Sequence, residues 1–299
     1  MSEAVGETDP FVTHRSLLFT VAYEMLGSAS DAEDAVQETW LRWAALDDEK
    51  RAEVRDPRAY LVRIATRQSL NRLRTLARRK EDYVGEWLPE PLLTSPDVAE
   101  DVELAESVSI AMLTVLETLT PTERAVFVLR EVFDLPYDEI AEAVEKSAAA
   151  VRQIAHRARE HVQARRPRVE VDHAQQREVL ERFRAVLEGG GDVQALMDVL
   201  APDVVLIPDG GGIAAAARKP IHGAGKIAAF LSHFRQYADE VTIEMLWVNG
   251  APAMRMSGPE PVGTTVVSIL VDEGRITRLF AMRNPQKLAR LDEEVALGR

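Results

Sequence analysis

The apolar residues of this chain change their period once. Up to about residue 165 they recur every three or four positions, as Leu17, Leu18, Val21, Ala22, Met25 and Leu26 do, which is the spacing of amphipathic helices. From about residue 172 the pattern becomes two helices, near 173–188 and 192–200, and then apolar runs of strand length at 204–207, 241–248, 253–256, 262–271 and 276–282. A further helix near 223–236 interrupts the runs. Helices alone, followed by helices and a long antiparallel meander, predict a multi-domain chain that is all-α first and α+β last. The 299 residues suffice for two or three such domains.

The helical half has its own punctuation. Gly27 and Ser28 break the first helical run, and Ser30 with Glu33 reads as a capping box for the second. Ala32, Ala35, Val36, Thr39, Trp40 and Trp43 form its inward stripe, leaving Asp31, Glu33, Asp34, Gln37, Glu38 and Arg42 outside. Asp56-Pro57 opens a helix to about residue 80. On it Arg63, Arg67, Arg74 and Arg78 share one face with Gln68 and Asn71 among them. Residues 81–102 contain prolines and no Lys or Arg, the composition of a linker, yet Trp87, Leu88, Leu92 and Leu93 are apolar enough to dock on something. Beyond it, a short helix at 138–143, a turn at 144–146 and a longer helix capped by Ser147 read as a helix-turn-helix. Ala141, Val151 and Ile154 would pack the pair, turning Ala150, Arg152, Gln153, His156, Arg157 and Arg159 outward.

Charge sharpens this reading. The net charge is −13, but residues 50–80 carry eleven Lys/Arg against two Asp/Glu, and residues 146–168 carry seven against one. Phosphate attraction is set by the local field, which decays over about 8–10 Å in physiological salt, so two basic blocks in an acidic chain suit nucleic acid. A recognition helix places Arg and Gln on base edges in the major groove. There is no cysteine, which removes disulfides, thiolate catalysis and thiolate metal sites and fits a cytoplasmic protein. No His/Asp/Glu cluster has metal-ligand spacing, and no cofactor is implied. The apolar stretches are too short for a membrane span, and the acidic N-terminus lacks the pattern of a secretory signal.

Three segments now stand in order: DAEDAVQETWLRW, then RDPRAYLVRIATRQSLNRLRTLARR, then LTPTERAVFVLREVFDLPYDEIAEAVEKSAAAVRQIAHRARE. Over roughly residues 11–165 the chain resembles regions two and four of the extracytoplasmic-function sigma factors. The resemblance implies that Asp31, Asp34, Gln37 and Glu38 dock on the largest-subunit clamp of the RNA polymerase core. It implies that Tyr60, Arg63, Arg67, Asn71, Arg74 and Arg78 meet the −10 element of promoter DNA, Tyr60 being equally well a core residue. Ser147, Arg152, Gln153, His156 and Arg157 would meet the −35 element.

The C-terminal half resembles the SnoaL-like cone-shaped domain that a subgroup of these sigma factors carries. Trp87-Leu88-Pro89-Glu90-Pro91 matches the subgroup's linker motif intact. Asp209-Gly210-Gly211-Gly212 matches a second motif but is followed by Ile213 in place of Lys, and Asn284-Pro285-Gln286-Lys287-Leu288 matches a third with Gln in place of Asp. The implied organisation is sigma region two at 1–80, a linker at 81–102, region four at 103–168 and the SnoaL-like domain at 169–299. The implied regulation is in cis, with Trp87, Leu88, Pro89, Asp209, Gly210, Gly211, Gly212, Asn284 and Pro285 in contact and no separate anti-sigma partner. Two other readings remain open at this point. One is a helix-turn-helix regulator with a ligand-sensing domain; the other is a SnoaL-like isomerase or cyclase using Asp209, His222 or His233 as acid or base. Met245, Trp247, Met254 and Met256 would fill the cone or line a small-ligand pocket there.

Overall fold

The computed structural model describes residues 9–166, 172–190 and 192–299, without the side chains of 77–81, 234, 235 and 238. The acidic residues 1–8, Pro167, Arg168, Gly191 and the side chain of Arg78 lie outside the described residues. In chain order the helices are α1 (Pro10–Leu26), α2 (Ala29–Ala44), α3 (Asp48–Glu53), α4 (Pro57–Glu81), α5 (Val102–Val108), α6 (Ile110–Leu116), α7 (Pro121–Phe127), α8 (Tyr137–Val144), α9 (Ala148–Arg165), α10 (His173–Glu188), α11 (Val193–Val199), α12 (Ala224–Ser232) and the single turn α13 (Pro285–Leu288). The strands are β1 (Leu200–Asp209), β2 (Ile221–His222), β3 (Thr242–Val248), β4 (Ala251–Ser257), β5 (Thr264–Asp272) and β6 (Arg275–Met282). Among the described residues no helix is long and apolar enough to cross a membrane. The chain divides into two compact units, residues 1–77, 115–165 and 296–299 in one and 78–114 and 166–295 in the other. The helical stretch expected over 103–168 is thus shared, 103–114 going with the C-terminal residues.

In the first unit α1 ends where Gly27 takes a left-handed φ of 68°. The cap of α2 is Ser28 and not Ser30: Ser28 is extended, and its Oγ accepts from the Asp31 amide at 3.2 Å. Ser30 already lies inside the helix, its hydroxyl 3.1 Å from that of Ser28. Of the inward stripe all but Trp40 is buried; Trp40 is 37% exposed and tilts against Phe11 at 5.0 Å between ring centroids. The Asp56 carboxylate accepts from the Ala59 amide at 3.0 Å and starts α4 with Pro57 in its first turn. A capping box of Thr120 and Glu123 starts α7, and a π-helical turn (Val128–Val132) follows it. Between α8 and α9 the chain turns at Glu145, which has φ 56°, and the Ser147 hydroxyl accepts from the Ala150 amide at 3.2 Å. Ala141, Val151 and Ile154 are buried as the helix-turn-helix pattern requires. Arg124, 2% exposed, donates to the Glu24 carbonyl of α1 at 2.8 Å and pairs with Glu117 at 2.8 Å.

The second unit is built on one six-stranded sheet in the order β2-β1-β6-β5-β4-β3. Strands β3 to β6 form the expected antiparallel meander, β1 joins β6 in parallel, and the short β2 pairs with β1. Two-residue turns with positive φ at both positions, Asn249-Gly250 and Glu273-Gly274, close the β3–β4 and β5–β6 hairpins. Side chains alternate between two buried faces. Leu206, Met254, Val267, Ile269 and Leu279 pack on one face with Phe183, Leu196 and Ile227 from α10, α11 and α12. Ala253, Val266, Phe280 and Met282 pack on the other with Leu88, Ile110 and Leu291. The segment that reads as a linker is therefore part of this unit's core.

Candidate nucleic-acid interface and the buried Asp209 cluster

On α2 the acidic candidates do not stand as an unopposed negative face. Arg72 of α4 reaches Asp31 at 3.6 Å, Asp34 at 3.2 Å and Glu38 at 2.7 Å, while Gln37 is exposed. Arg72 lies nine residues beyond Arg63, about 180° around a helix of 3.6 residues per turn, so it points away from the arginine track. Gln68 departs from the reading that places it on that track: it is buried, its amide between Glu38 and Arg42.

The arginine track is partly occupied within its own unit. Arg63 pairs with Glu142 at 2.6 Å, and Arg67 donates to the Glu142 carbonyl at 3.0 Å and lies 3.5 Å from Glu145. Both acidic residues belong to the end of α8 and the turn after it. Arg74 donates to Asn71 at 3.2 Å. Tyr60 is half-buried, tilted against Trp43 at 5.9 Å, with the Arg63 guanidinium 5.4 Å above its ring. On α9, Arg152, Gln153, His156 and Arg157 are all exposed on one side while Val151, Ile154, Ala155 and Ala158 face inward. Arg152 lies 5.9 Å over the Tyr137 ring and His156 lies 3.6 Å from Glu160.

The second unit brings the three motifs together around one carboxylate. Asp209 ends β1 and is fully buried. Its Oδ2 accepts from the Leu88 amide at 2.9 Å and from Lys287 Nζ at 2.7 Å, and its Oδ1 accepts from the Tyr83 hydroxyl. Its carbonyl accepts from the amides of Arg283 and Asn284. Lys287 also donates to the Leu88 carbonyl at 2.5 Å, and its ammonium stands 3.6 Å from the Trp87 ring and 4.8 Å from the Tyr83 ring. Tyr83 and Trp87 meet edge-on at 4.7 Å, and Asn284 donates to the Tyr83 oxygen at 2.8 Å. Burial first, and then the hydrogen bond to Asp209, push the Tyr83 phenol above its ordinary pKa and keep it a donor.

The glycines fit this seat. Gly211 and Gly212 have φ of 62° and 71°; a Cβ on the first would run into the Asn284 side chain, and on the second would lie 2.9 Å from Val84. Pro285 and the cap Asn284, which accepts from the Gln286 amide at 3.0 Å, start α13 and so aim Lys287 inward. The two departures from the motif pattern, Ile213 and Gln286, are both exposed and outside the cluster. Further along, Asn249 exchanges hydrogen bonds with Leu92 and donates to the Val108 carbonyl at 2.7 Å, and Gly250 donates to Thr94. Pro89 and Leu92 are buried with Leu88.

The acid–base candidates do not converge. Asp209 shares the alternation of Ile207, so its carboxylate serves the linker face, while His222 and His233 are exposed. The cavity on the opposite face is about 120 Å³, and none of the three residues lines it. Met254 and Met256 do line it, Met245 packs against the same core, and Trp247 stands against His173. Residues missed by the sequence reading are Arg72, Tyr83, Asn249 and Lys287. Lys287 lay inside a quoted motif, Tyr83 four residues before Trp87, and Arg72 on the wrong face for the track.

Residues 11–79 match Sigma-70 region 2 and residues 109–162 match Sigma-70 region 4. The chain is 35% identical over 294 residues to the ECF RNA polymerase sigma factor SigJ of Mycobacterium tuberculosis, covering 94% of this chain and 93% of that protein. It is 31% identical over 291 residues to the probable ECF RNA polymerase sigma factor SigI of the same species, covering 95% and 96%. The crystal structure of Mycobacterium tuberculosis SigJ matches with a TM-score of 0.76 and 33% identity over 95% of this chain and 98% of that one.

Proposed function

The chain belongs to the extracytoplasmic-function sigma factors of RNA polymerase, and from that premise we propose that its C-terminal α+β domain regulates it in cis through the segment joining the two sigma regions. As a sigma factor it works with the polymerase core and promoter DNA to initiate transcription. The finer assignments are part of the proposal. Asp31, Asp34, Gln37 and Glu38 dock on the clamp of the largest subunit, with Arg72 holding three of them in place. Tyr60, Arg63, Arg67, Asn71, Arg74 and Arg78 meet the −10 element, and Ser147, Arg152, Gln153, His156 and Arg157 the −35 element. Trp87, Leu88 and Pro89 are held by Asp209, Gly210, Gly211, Gly212, Asn284 and Pro285, so the domain fixes the path of the linker and takes the place of a separate anti-sigma protein.

The observation that carries the regulatory reading is the Asp209 carboxylate. It is buried and accepts from the linker at two points, the Tyr83 hydroxyl and the Leu88 amide. A buried carboxylate that draws two of its three partners from one segment makes docking of that segment close to all-or-none. Run-off transcription with purified core polymerase, using full-length protein and its Trp87→Ala and Asp209→Asn variants, tests it. Core binding should be unchanged while promoter output shifts in the same direction for both. Equal output from all three proteins, with linker proteolysis also unchanged, would refute cis regulation.

A further inference from the structure

A second compartment, about 70 Å³, lies on the linker face of the sheet beneath residues 105–112, wholly within the second unit. Three buried polar atoms of residues that line it have no hydrogen-bond partner: Gln176 Oε1, Ser268 Oγ and His173 Nδ1. Gln176 is 7% exposed and Ser268 6%. The orientation of Gln176 is fixed, because its Nε2 donates to the Ile269 carbonyl at 2.6 Å, which presents Oε1 as the acceptor. Ile110, Val248, Leu270 and Phe280 supply the apolar part of the wall, and Glu106, Ser109, Arg166, Asp172 and Gln175 also line it.

We propose that this compartment binds a small uncharged molecule with an N–H or O–H head and a short apolar tail, a primary amide or an alcohol. Three orphaned polar atoms around one space specify the head, since buried polar groups are otherwise nearly always paired. Water fits the space poorly. The volume would hold about five molecules at roughly 15 Å³ each, and each would need about three hydrogen bonds in a compartment whose exposed lining is mostly apolar. A carboxylate head leaves Gln176 Oε1 unpaired, since both offer only lone pairs, and the arginine of the lining, Arg166, already pairs with Glu106. The head meets Gln176, Ser268 and His173, and the tail lies against Ile110, Leu270 and Phe280. The occupant therefore bridges α5–α6 to the sheet and strengthens that contact. The site lies on the opposite face from the Met254 cavity and does not depend on the regulatory reading of Asp209.

The test uses full-length protein with n-butyramide, n-butanol and sodium butyrate as probes. Saturation-transfer NMR should show transfer to the amide and the alcohol and none to butyrate, and amide exchange over residues 105–112 should slow with the first two only. Ser268→Val, which removes the hydroxyl and fills part of the space, should weaken butyramide at least tenfold; Ser268→Ala, which leaves packing nearly intact, should weaken it by a smaller factor. No transfer to either neutral probe at millimolar concentration overturns the proposal. So does butyrate binding as well as butyramide, or butyramide binding that neither Ser268 variant changes.

Discussion

Each unit of the molecule holds a candidate functional segment by charge, but one does so in its interior and the other at its surface. Asp209 is fully buried and the Lys287 side chain is 4% exposed. Arg63 and Glu142 are 34% and 66% exposed, and Arg67 and Glu145 46% and 75%. Similar distances therefore mean different things. Exposed ion pairs are worth about 0–1 kcal/mol and are screened by salt. A buried pair contributes modest net stability, yet removing one partner costs about 3–5 kcal/mol because the other is left charged and dry. On the proposed regulatory reading the interior cluster is a latch with two states. The surface belt should yield gradually to a competing anion, and in the proposed −10 contact that anion is a promoter phosphate.

The largest effect that separates the two should come from Lys287→Met. It strands Asp209 with the Tyr83 hydroxyl and the Leu88 amide but no cation, and should destabilise linker docking by about 3–5 kcal/mol. Limited proteolysis of residues 82–95 measures this as rapid cleavage in the variant and slow cleavage in the parent. Adding Asp209→Leu should recover part of the loss, since the uncompensated charge is then gone. If Lys287→Met cleaves no faster than the parent, the latch is no stronger than the surface belt.

Tyr83→Phe comes next, at about 1.5–3 kcal/mol for a hydrogen bond to a charged acceptor. Its pH counterpart has a definite sign. The folded pKa of Tyr83 is raised above its ordinary value near 10, by burial first and then by Asp209. Its contribution is complete below the unfolded pKa and is lost as pH rises from there through the folded value, because the unfolded chain releases the proton first. Absorbance titration should show the late step of Tyr83, and that step should vanish in Tyr83→Phe. A late step that survives the substitution would assign the shift to another tyrosine.

Gly211→Ala should cost about 1–2 kcal/mol from its left-handed backbone alone, with a further loss because its Cβ would meet Asn284. Gly225, with open space around its Cβ position, is the control: in α12 the same change should stabilise by up to about 1 kcal/mol. Thermal melts of both variants distinguish a glycine that seats the linker from one that only permits a turn.

What the sequence made legible follows from the range of the forces involved. Helix and strand periods are local, so the helix-turn-helix and the meander could be read directly, as could the burial of Leu88 and Leu92 in a segment too apolar for a tether. The Ser28 cap was missed because Ser28 and Ser30 offer the same chemistry and only the backbone angle decides between them. The partners of Asp209 were hidden because they come from positions 83, 88 and 287, and no local pattern joins them. Alternation along β1 did contain the answer to the acid–base question. Once Leu206 is assigned to the face under α11, Asp209 must serve the other face, and it cannot act in the cone. The occupation of the arginine track by Glu142 was equally beyond reach, since it depends on a contact 79 residues away in the chain.

That contact gives the smallest stability effect and the sharpest use of the comparison. Glu142→Gln removes one exposed carboxylate and leaves the fold, so the melting midpoint should move by no more than the equivalent of about 0.5 kcal/mol. The carboxylate is nonetheless the local competitor for Arg63. With it neutral, Arg63 reaches a phosphate without first giving up an ion pair worth about 0–1 kcal/mol, so affinity for −10 DNA should rise by a factor of about two to five. The gain should be largest at low salt and shrink as the Debye length shortens. In an Arg63→Gln background the Glu142→Gln change should no longer alter DNA affinity. A Glu142→Gln variant that binds no better at low salt would mean that Arg63 meets no phosphate, and the surface belt would then be only the packing of one helical pair on another.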